Sequence, residues 1–396
     1  MNAVLPGSRP HTHDFLQEIT LPTEGSTALA HAMLREIYEQ PESIAATLQA
    51  YAPGGKLDAE AWQAVHRVLQ GHERIVVAAS GSSRHAGLAG EILIEDLSGI
   101  AVDVEYASEY CYRSTHTLHN PAVIVISQSG ETADTLAALR EGISRGLDTI
   151  SIANVAGSRM TREASAALVT RAGVEAAIPA TKSFTTQLTM LYLLAIYAGR
   201  MKGRMTAAVA EEHIEQIERI PALLQTNIPA WMEQMRTIAT SYAKDEAFLF
   251  LGRGIHYAIA REGALKLKEV SYVHAEGYPT GELKHGPNAL VSHGTPLVVL
   301  ATCDRNDPDS LLRYSRTLQL LSDIQKQGSH VLAIATEGDT EIGRLCNHCV
   351  FVPAASEYLL PICEVVPLQI FSYMVATQRG YDVDRPRNLS KAVVTE

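Results

Sequence analysis

Apolar residues along this chain fall into two kinds of run. Short unbroken apolar stretches alternate with longer ones whose apolar positions recur every three to four residues. Residues 74–79, 101–106, 122–126, 148–153 and 168–170 show the first pattern. The segments reaching to about 96 and about 145, and residues 182–200, show the second. The same alternation returns later, with strand-like runs at 247–251, 295–302 and 330–336 and helical segments to about 273 and about 327. Strands alternating with helices of this length predict an α/β fold with doubly wound parallel sheets flanked by helices. Gly81 and Gly252 end corresponding strands, about 170 residues apart, so the plan repeats. Two copies of one α/β domain are expected, over 56–205 and 230–380, joined by a helical connector at 206–229. Ahead of them lies an N-terminal unit, 1–55. Its first 24 residues, with Pro6, Pro10 and Pro22, form a loose arm, and Leu29, Met33, Ile37 and Ile44 mark one face of a helix over 27–50. Residues 381–396 form a polar tail.

A length of 396 residues leaves room for two packed cores. The net charge of −11, with no basic block, argues against a nucleic-acid partner. An anionic ligand would need a local site. Residues 1–22 contain no continuous apolar run, so no secretory leader is expected. The longest apolar run, 188–198, is too short for a bilayer and carries two tyrosines, so no membrane span is expected. Five cysteines without framework spacing fit a reducing cytoplasm. Cys346 and Cys349 enclose His348, but no further ligands stand at zinc spacing. Neither a metal nor a cofactor is expected.

Ligands of an open parallel sheet sit beyond the carboxyl ends of its strands. Three first-half loops lie there: 80–83, 127–132 and 179–183. The second reads Ser127-Gln128-Ser129-Gly130-Glu131-Thr132, between a strand and a helix. Free N–H groups at the helix start favour an anion. The hydroxyls of Ser83, Ser127, Ser129 and Thr132 can each donate to a phosphate oxygen. Helix capping explains one hydroxyl, but not three with a glutamine in six residues. The second-half equivalent contains Asp304 and Asp307, which repel phosphate, so one phosphate site per chain is expected.

The second half instead gathers acid–base residues. Lys266 shares a helix face with Glu262 and Glu269, which by spacing alone reads as a solvated ion-pair cluster. His285 lies in a loop, Gly281-Glu282-Leu283-Lys284-His285-Gly286-Pro287, suited to proton transfer near neutrality. By itself Lys391, in the polar tail, reads as a solvated charge.

Taken together, these motifs resemble the sugar isomerase (SIS) domains. The Ser127 loop looks like their hallmark. Residues 262–269, the His285 loop and the tail Pro386-Arg387-Asn388-Leu389-Ser390-Lys391 look like the isomerase half of glucosamine-6-phosphate synthase. The resemblance implies that Ser83, Ser127, Gln128, Ser129 and Thr132 hold the phosphate of a hexose 6-phosphate. It implies that Glu269 is the base for C1–C2 proton transfer, with Lys266 beside it. His285 becomes the ring-opening histidine, supplied by the neighbouring subunit of a homodimer. Lys391 becomes an amine able to form a Schiff base with a ketose. Gly81, Ser82, Ala180, Thr181 and Lys182 become possible sugar contacts. Two departures are visible: the loop reads Ser80-Gly81-Ser82-Ser83 where the family has Cys-Gly-Thr-Ser, and Ala180 replaces a serine.

Residues 1–55 are too few for the synthase's glutaminase domain, and no cysteine precedes Cys111. The expected activity is therefore an isomerising deamination of glucosamine 6-phosphate to fructose 6-phosphate and ammonia, as in SIS-type deaminases. The alternatives are another amino-sugar or fructosamine-phosphate isomerase, a deglycase, a galactosamine-6-phosphate deaminase, a bare isomerase or a non-catalytic sugar-phosphate sensor.

Overall fold

The computed structural model describes residues 30–113 and 120–394. The loose arm expected over 1–24, and Leu29, lie outside those residues. The helix expected at 27–50 appears from residue 32 as two, α1 (Ala32–Tyr38) and α2 (Gln40–Tyr51). Pro41 explains the break, because its ring cannot sit against the carbonyl of Ile37 in a continuous helix. A third helix, α3 (Ala59–Leu69), starts at Asp58, whose side chain accepts from the Ala61 N–H at 2.7 Å.

The first sheet holds β1 (Arg74–Ala79), β2 (Ala101–Tyr106), β3 (Ala122–Ser127), β4 (Thr149–Ala153) and β5 (Ala166–Val169). Between and after the strands run α4 (Gly81–Ser98), α5 (Ala107–Tyr110), α6 (Ala133–Ser144), α7 (Arg159–Glu163) and α8 (Lys182–Met201). The connector is α9 (Ala207–Glu218) and α10 (Ile220–Tyr242), and α10 continues through Pro229 past position 230. The second sheet comprises β6 (Ala247–Gly252), β7 (His274–Pro279), β8 (Pro296–Ala301), β9 (His330–Thr336) and β10 (His348–Val352). Its helices are α11 (His256–Ser271), α12 (Pro308–Gln325) and α13 (Leu360–Gln378).

The two sheets share one topology. The first runs β2-β1-β3-β4-β5 and the second β7-β6-β8-β9-β10, with every pairing parallel. Strand order therefore reverses between β1 and β3, and again between β6 and β8. In the first sheet Ala79 pairs with Ile126, so Ser80 and Ser127 emerge side by side at the crevice where ligands bind in such folds.

A single apolar cluster unites the halves, including Ile75, Leu191, Phe250 and Leu368. Helix α4 packs on α8, α11 on α13, and α4 on α11. The α4–α11 contact brings the helices that follow β1 and β6 together beside the crevice. Helix α13 is long and apolar enough to cross a membrane, but 94% of that stretch is buried in the protein, as a core helix would be.

Candidate active site

Neither hydroxyl at the two helix starts is spent on capping. Ser80 and Thr132 occupy the positions before α4 and α6, and neither side chain makes a cap bond. Instead the hydroxyls of the 127–132 loop engage one another. Ser127 Oγ lies 2.9 Å from Thr132 Oγ1 and 3.5 Å from Ser129 Oγ. The Gly130 and Glu131 N–H groups donate to Ser127 and Ser129 at 3.2 and 3.1 Å. Gly130 has φ 65°, and a Cβ there would collide with Ser158, so only glycine closes this turn. The Glu131 carboxylate is drawn off by the Arg159 backbone N–H, at 2.7 Å, and by its guanidinium. The loop thus presents hydroxyls to the crevice without a carboxylate among them. Ser83 is steadied by Gln187, whose Nε2 donates to its Oγ at 3.0 Å.

From the other domain, α11 supplies a buried ionic chain. Lys266 is fully buried, with Nζ 2.6 Å from Glu269 Oε2 and 3.4 Å from Glu262 Oε1. The solvated ion pair that spacing suggests is not what forms, because the α4–α11 contact covers this helix face. Ser82 Oγ links the domains, donating to Glu262 at 2.8 Å and accepting from Lys266 at 3.1 Å. His85 Nδ1 lies 2.8 Å from the other Glu262 oxygen. Burial raises the Glu269 carboxyl above its ordinary value, against the pull of Lys266. Burial opposes the Lys266 charge, but Glu269 and then Glu262 outweigh it and push the ammonium up to about 12.

The polar tail forms a third wall. Lys391 Nζ lies 2.5 Å from Glu175 Oε2 and donates to the Ala177 carbonyl at 2.6 Å. Glu175 also accepts from Thr181 N, Ser183 N and Ser183 Oγ, at 2.9, 3.0 and 2.7 Å. Burial would raise this carboxyl, but Lys391 and the two backbone donors together hold it below its ordinary value. Farther along, the Val393 carbonyl accepts from the first N–H of α6, Ala133, at 2.9 Å.

These pieces enclose a cleft of about 290 Å³. Ser83, Ser127, Gln128, Ser129 and Thr132 line it together with Lys266, Glu269 and Lys391. Gly81, Ser82 and Ala180 line it as well. Thr181 and Lys182 do not. Thr181 is buried, and Lys182 points to Glu39 on the turn before α2, at 2.6 Å. His285 is exposed on a 3₁₀ turn, Glu282–His285, and does not line the cleft within this chain. Glu175, Glu262, His85 and Gln187 carry no role in the sequence reading. Only Glu262 had a signal, its place on the Lys266 face.

The second switch point is built differently. His256 sits buried between Glu357, at 3.1 Å, and Glu364, at 2.7 Å. Arg313 Nε donates to Glu357 at 2.8 Å, and Thr302 to Glu364. Asp304 and Asp307 line the cleft there. The asymmetry expected between the halves is present. Among the described residues no cluster of histidine, cysteine and carboxylate groups could hold a metal ion.

A twofold-repeated, doubly wound sheet with a hydroxyl-lined cleft at the first switch point defines a class of phosphosugar-handling α/β proteins. The chain belongs to the SIS-domain family, which it matches over residues 69–197 and 241–379. It is 42% identical over 376 residues to the isomerizing glutamine–fructose-6-phosphate aminotransferase of Chlorobaculum tepidum, covering 92% of this chain. The chain spans 58% of that relative's length. Among solved structures it resembles the C-terminal domain of glucosamine-fructose-6-phosphate aminotransferase from Francisella tularensis. That likeness has a TM-score of 0.82 at 34% identity, covering 90% of this chain and 99% of that one. A glucosamine-6-phosphate deaminase from Thermotoga maritima shares the fold, with a TM-score of 0.69 at 24% identity, covering 92% of this chain and all of that one.

Proposed function

We propose that this chain is an isomerising glucosamine-6-phosphate deaminase, forming fructose 6-phosphate and ammonia. The observation that carries the reading is the convergence of the hydroxyl cradle, Glu269 and Lys391 on one cleft. Ser83, Ser127, Gln128, Ser129 and Thr132 hold the phosphate, which fixes the distance to C1 and C2. Glu269 removes the proton from C2 of the open-chain sugar and returns it to C1, giving the 2-imine. Its raised pKa suits a base that must also release the proton. Lys266 is held by Glu262 and Ser82, and it orients Glu269. Lys391 attacks C2 of the imine and ammonia leaves. Water then hydrolyses the lysine imine and frees the ketose. His285, from the neighbouring subunit of a homodimer, moves the ring-oxygen proton. Its exposure on this chain supports that role. The sheet-bearing domains take the boundaries 56–205 and 230–380, and the five free cysteines suit a reducing cytoplasm.

The relatives' names support a second reading, in which the same C1–C2 chemistry forms the amino sugar and ammonia comes from glutamine. One assay separates the two. Purified protein given glucosamine 6-phosphate should release ammonia and fructose 6-phosphate without glutamine. Background release with this sugar, alongside turnover of a galactosamine or fructosamine phosphate in the same panel, would move the substrate. Amino-sugar synthesis that requires glutamine would establish the second reading.

A further inference from the structure

A second cleft, of about 390 Å³, opens on the other side of Gly81, which lines both. Its walls come from α4, the end of β2, α11 and β7. Its charge differs from that of the whole chain. Arg84, Arg261 and Lys268 line it, against one carboxylate, Glu276. Among the described residues none of the three cations forms an ion pair. Glu276 is engaged with the Tyr278 hydroxyl. The formal balance is 3 − 1 = +2 in a chain of net charge −11.

Arg84 is only 9% exposed, and its Nε and Nη1 have no hydrogen-bond partner. A buried guanidinium without acceptors is costly and rare. Its guanidinium carbon lies 3.8 Å from the centre of the Tyr106 ring. Arg261 donates to the hydroxyls of Tyr106, at 3.0 Å, and Tyr257, at 3.4 Å. The tyrosines therefore fix two like charges side by side without neutralising either. Burial first, and the Arg261 charge among the further causes, hold the Arg84 guanidinium below its ordinary value. Gly277 lets β7 lie flush on α11, since a Cβ there would come within 2.7 Å of the Arg261 Cα.

We propose that this cleft binds a small phosphate monoester, at a site separate from the Ser127 cradle. The dianion of such an ester matches the formal charge of +2. Paired guanidinium groups recognise phosphate oxygens through parallel N–H donors. The exposed Tyr106 ring, with Tyr257 and Tyr278, offers a surface for the organic part. The site also touches the reaction centre. His85 lines it and contacts Glu262, which contacts Lys266 and, through it, Glu269. The inference does not depend on the deamination reading.

Isothermal titration of the full chain with phenyl phosphate tests it, with circular dichroism to monitor folding. Wild-type protein should bind two equivalents per chain, one in each cleft. Arg84→Gln combined with Arg261→Leu should lose one equivalent. Lys268→Gln, an exposed change that leaves the fold intact, should weaken the same equivalent by about tenfold. Ser127→Ala with Thr132→Val should lose the other. A single wild-type equivalent, lost only with the Ser127 and Thr132 changes, overturns the proposal; that includes the case where a second copy of the chain covers the cleft. So does retention of both equivalents by the double arginine variant, or unchanged binding in Lys268→Gln. Retention of both by the Ser127 and Thr132 variant would count against the cradle instead, leaving the second cleft standing.

Discussion

Lys391 and Glu175 stand 216 positions apart, yet the ammonium nitrogen lies 2.5 Å from a fully buried carboxylate oxygen. The tail that carries Lys391 has no helix or strand over residues 379–394 and depends on such tethers. Asp384 accepts from the first N–H groups of α1, at Ala32 and Met33, both at 2.8 Å. Arg387 stacks 4.1 Å from the centre of the Tyr272 ring. The Val393 carbonyl holds the far end on α6. The tail is thereby drawn across the domain that holds the phosphate cradle, and its lysine is anchored at the cleft.

Glu175→Gln should loosen that anchor. It keeps the side chain's size but replaces a charge-assisted bond, whose net contribution is roughly 1.5–3 kcal/mol. Trypsin should then cut after Lys391 about ten to a hundred times faster, and ammonia release should fall in step. A cleavage rate equal to wild type would show that the pair does not hold the tail.

Glu269→Gln should lower turnover of glucosamine 6-phosphate by about 10²–10⁴ while leaving sugar-phosphate binding within a few-fold. Glutamine fills the same space and still accepts from Lys266, so the melting temperature should barely move. Wild-type turnover in this variant would remove Glu269 from the chemistry.

Lys266→Met tests the buried chain itself. It leaves the fully buried Glu262, and Glu269 at the cleft wall, without their shared ammonium. Removing one partner of a buried pair costs about 3–5 kcal/mol. Chemical denaturation should show a loss of that size. Glu262→Gln, which keeps Lys266 paired with Glu269 at 2.6 Å, should cost less. Equal and small losses would mean that the helix face is wetter than its burial indicates.

The sequence revealed strands β1 to β6, β8 and β9, most of them short apolar runs, and the loops that follow them. It hid the elements whose composition runs against their structure. Strand β7, His-Ala-Glu-Gly-Tyr-Pro, has no β-branched residue and ends in proline, yet pairs along its length with β6 at the sheet edge. Helix α13 is buried on every side, so it has no apolar stripe, and Pro367 inside it suggests a break that its packing overrides. The cradle was legible because its residues are consecutive. Glu175 was not, because its role comes from a contact with Lys391 that no local spacing encodes.

The buried cluster at the second switch point makes a prediction about pH. Burial alone would discharge His256, but the Glu364 charge and the Glu357 hydrogen bond outweigh it and push the imidazole up from 6.5 to about 10. Burial would likewise raise Glu357, but His256 above all, with Ser310 and Arg313, brings it down from 4.5 to about 2. A raised imidazole stabilises fully below the unfolded value of 6.5, and that contribution disappears as pH climbs through about 10. A lowered carboxyl stabilises above 4.5, and its share disappears as pH falls toward about 2. The cluster therefore stabilises most between pH 4.5 and 6.5. Melting temperatures measured from pH 5 to pH 10 should decline through the alkaline half of that series. His256→Asn should lower the whole curve, because it strands Glu357 and Glu364, and should flatten the alkaline decline. A wild-type curve that stays level from pH 6.5 to 10, or a decline that persists unchanged in His256→Asn, would place the titrating group elsewhere.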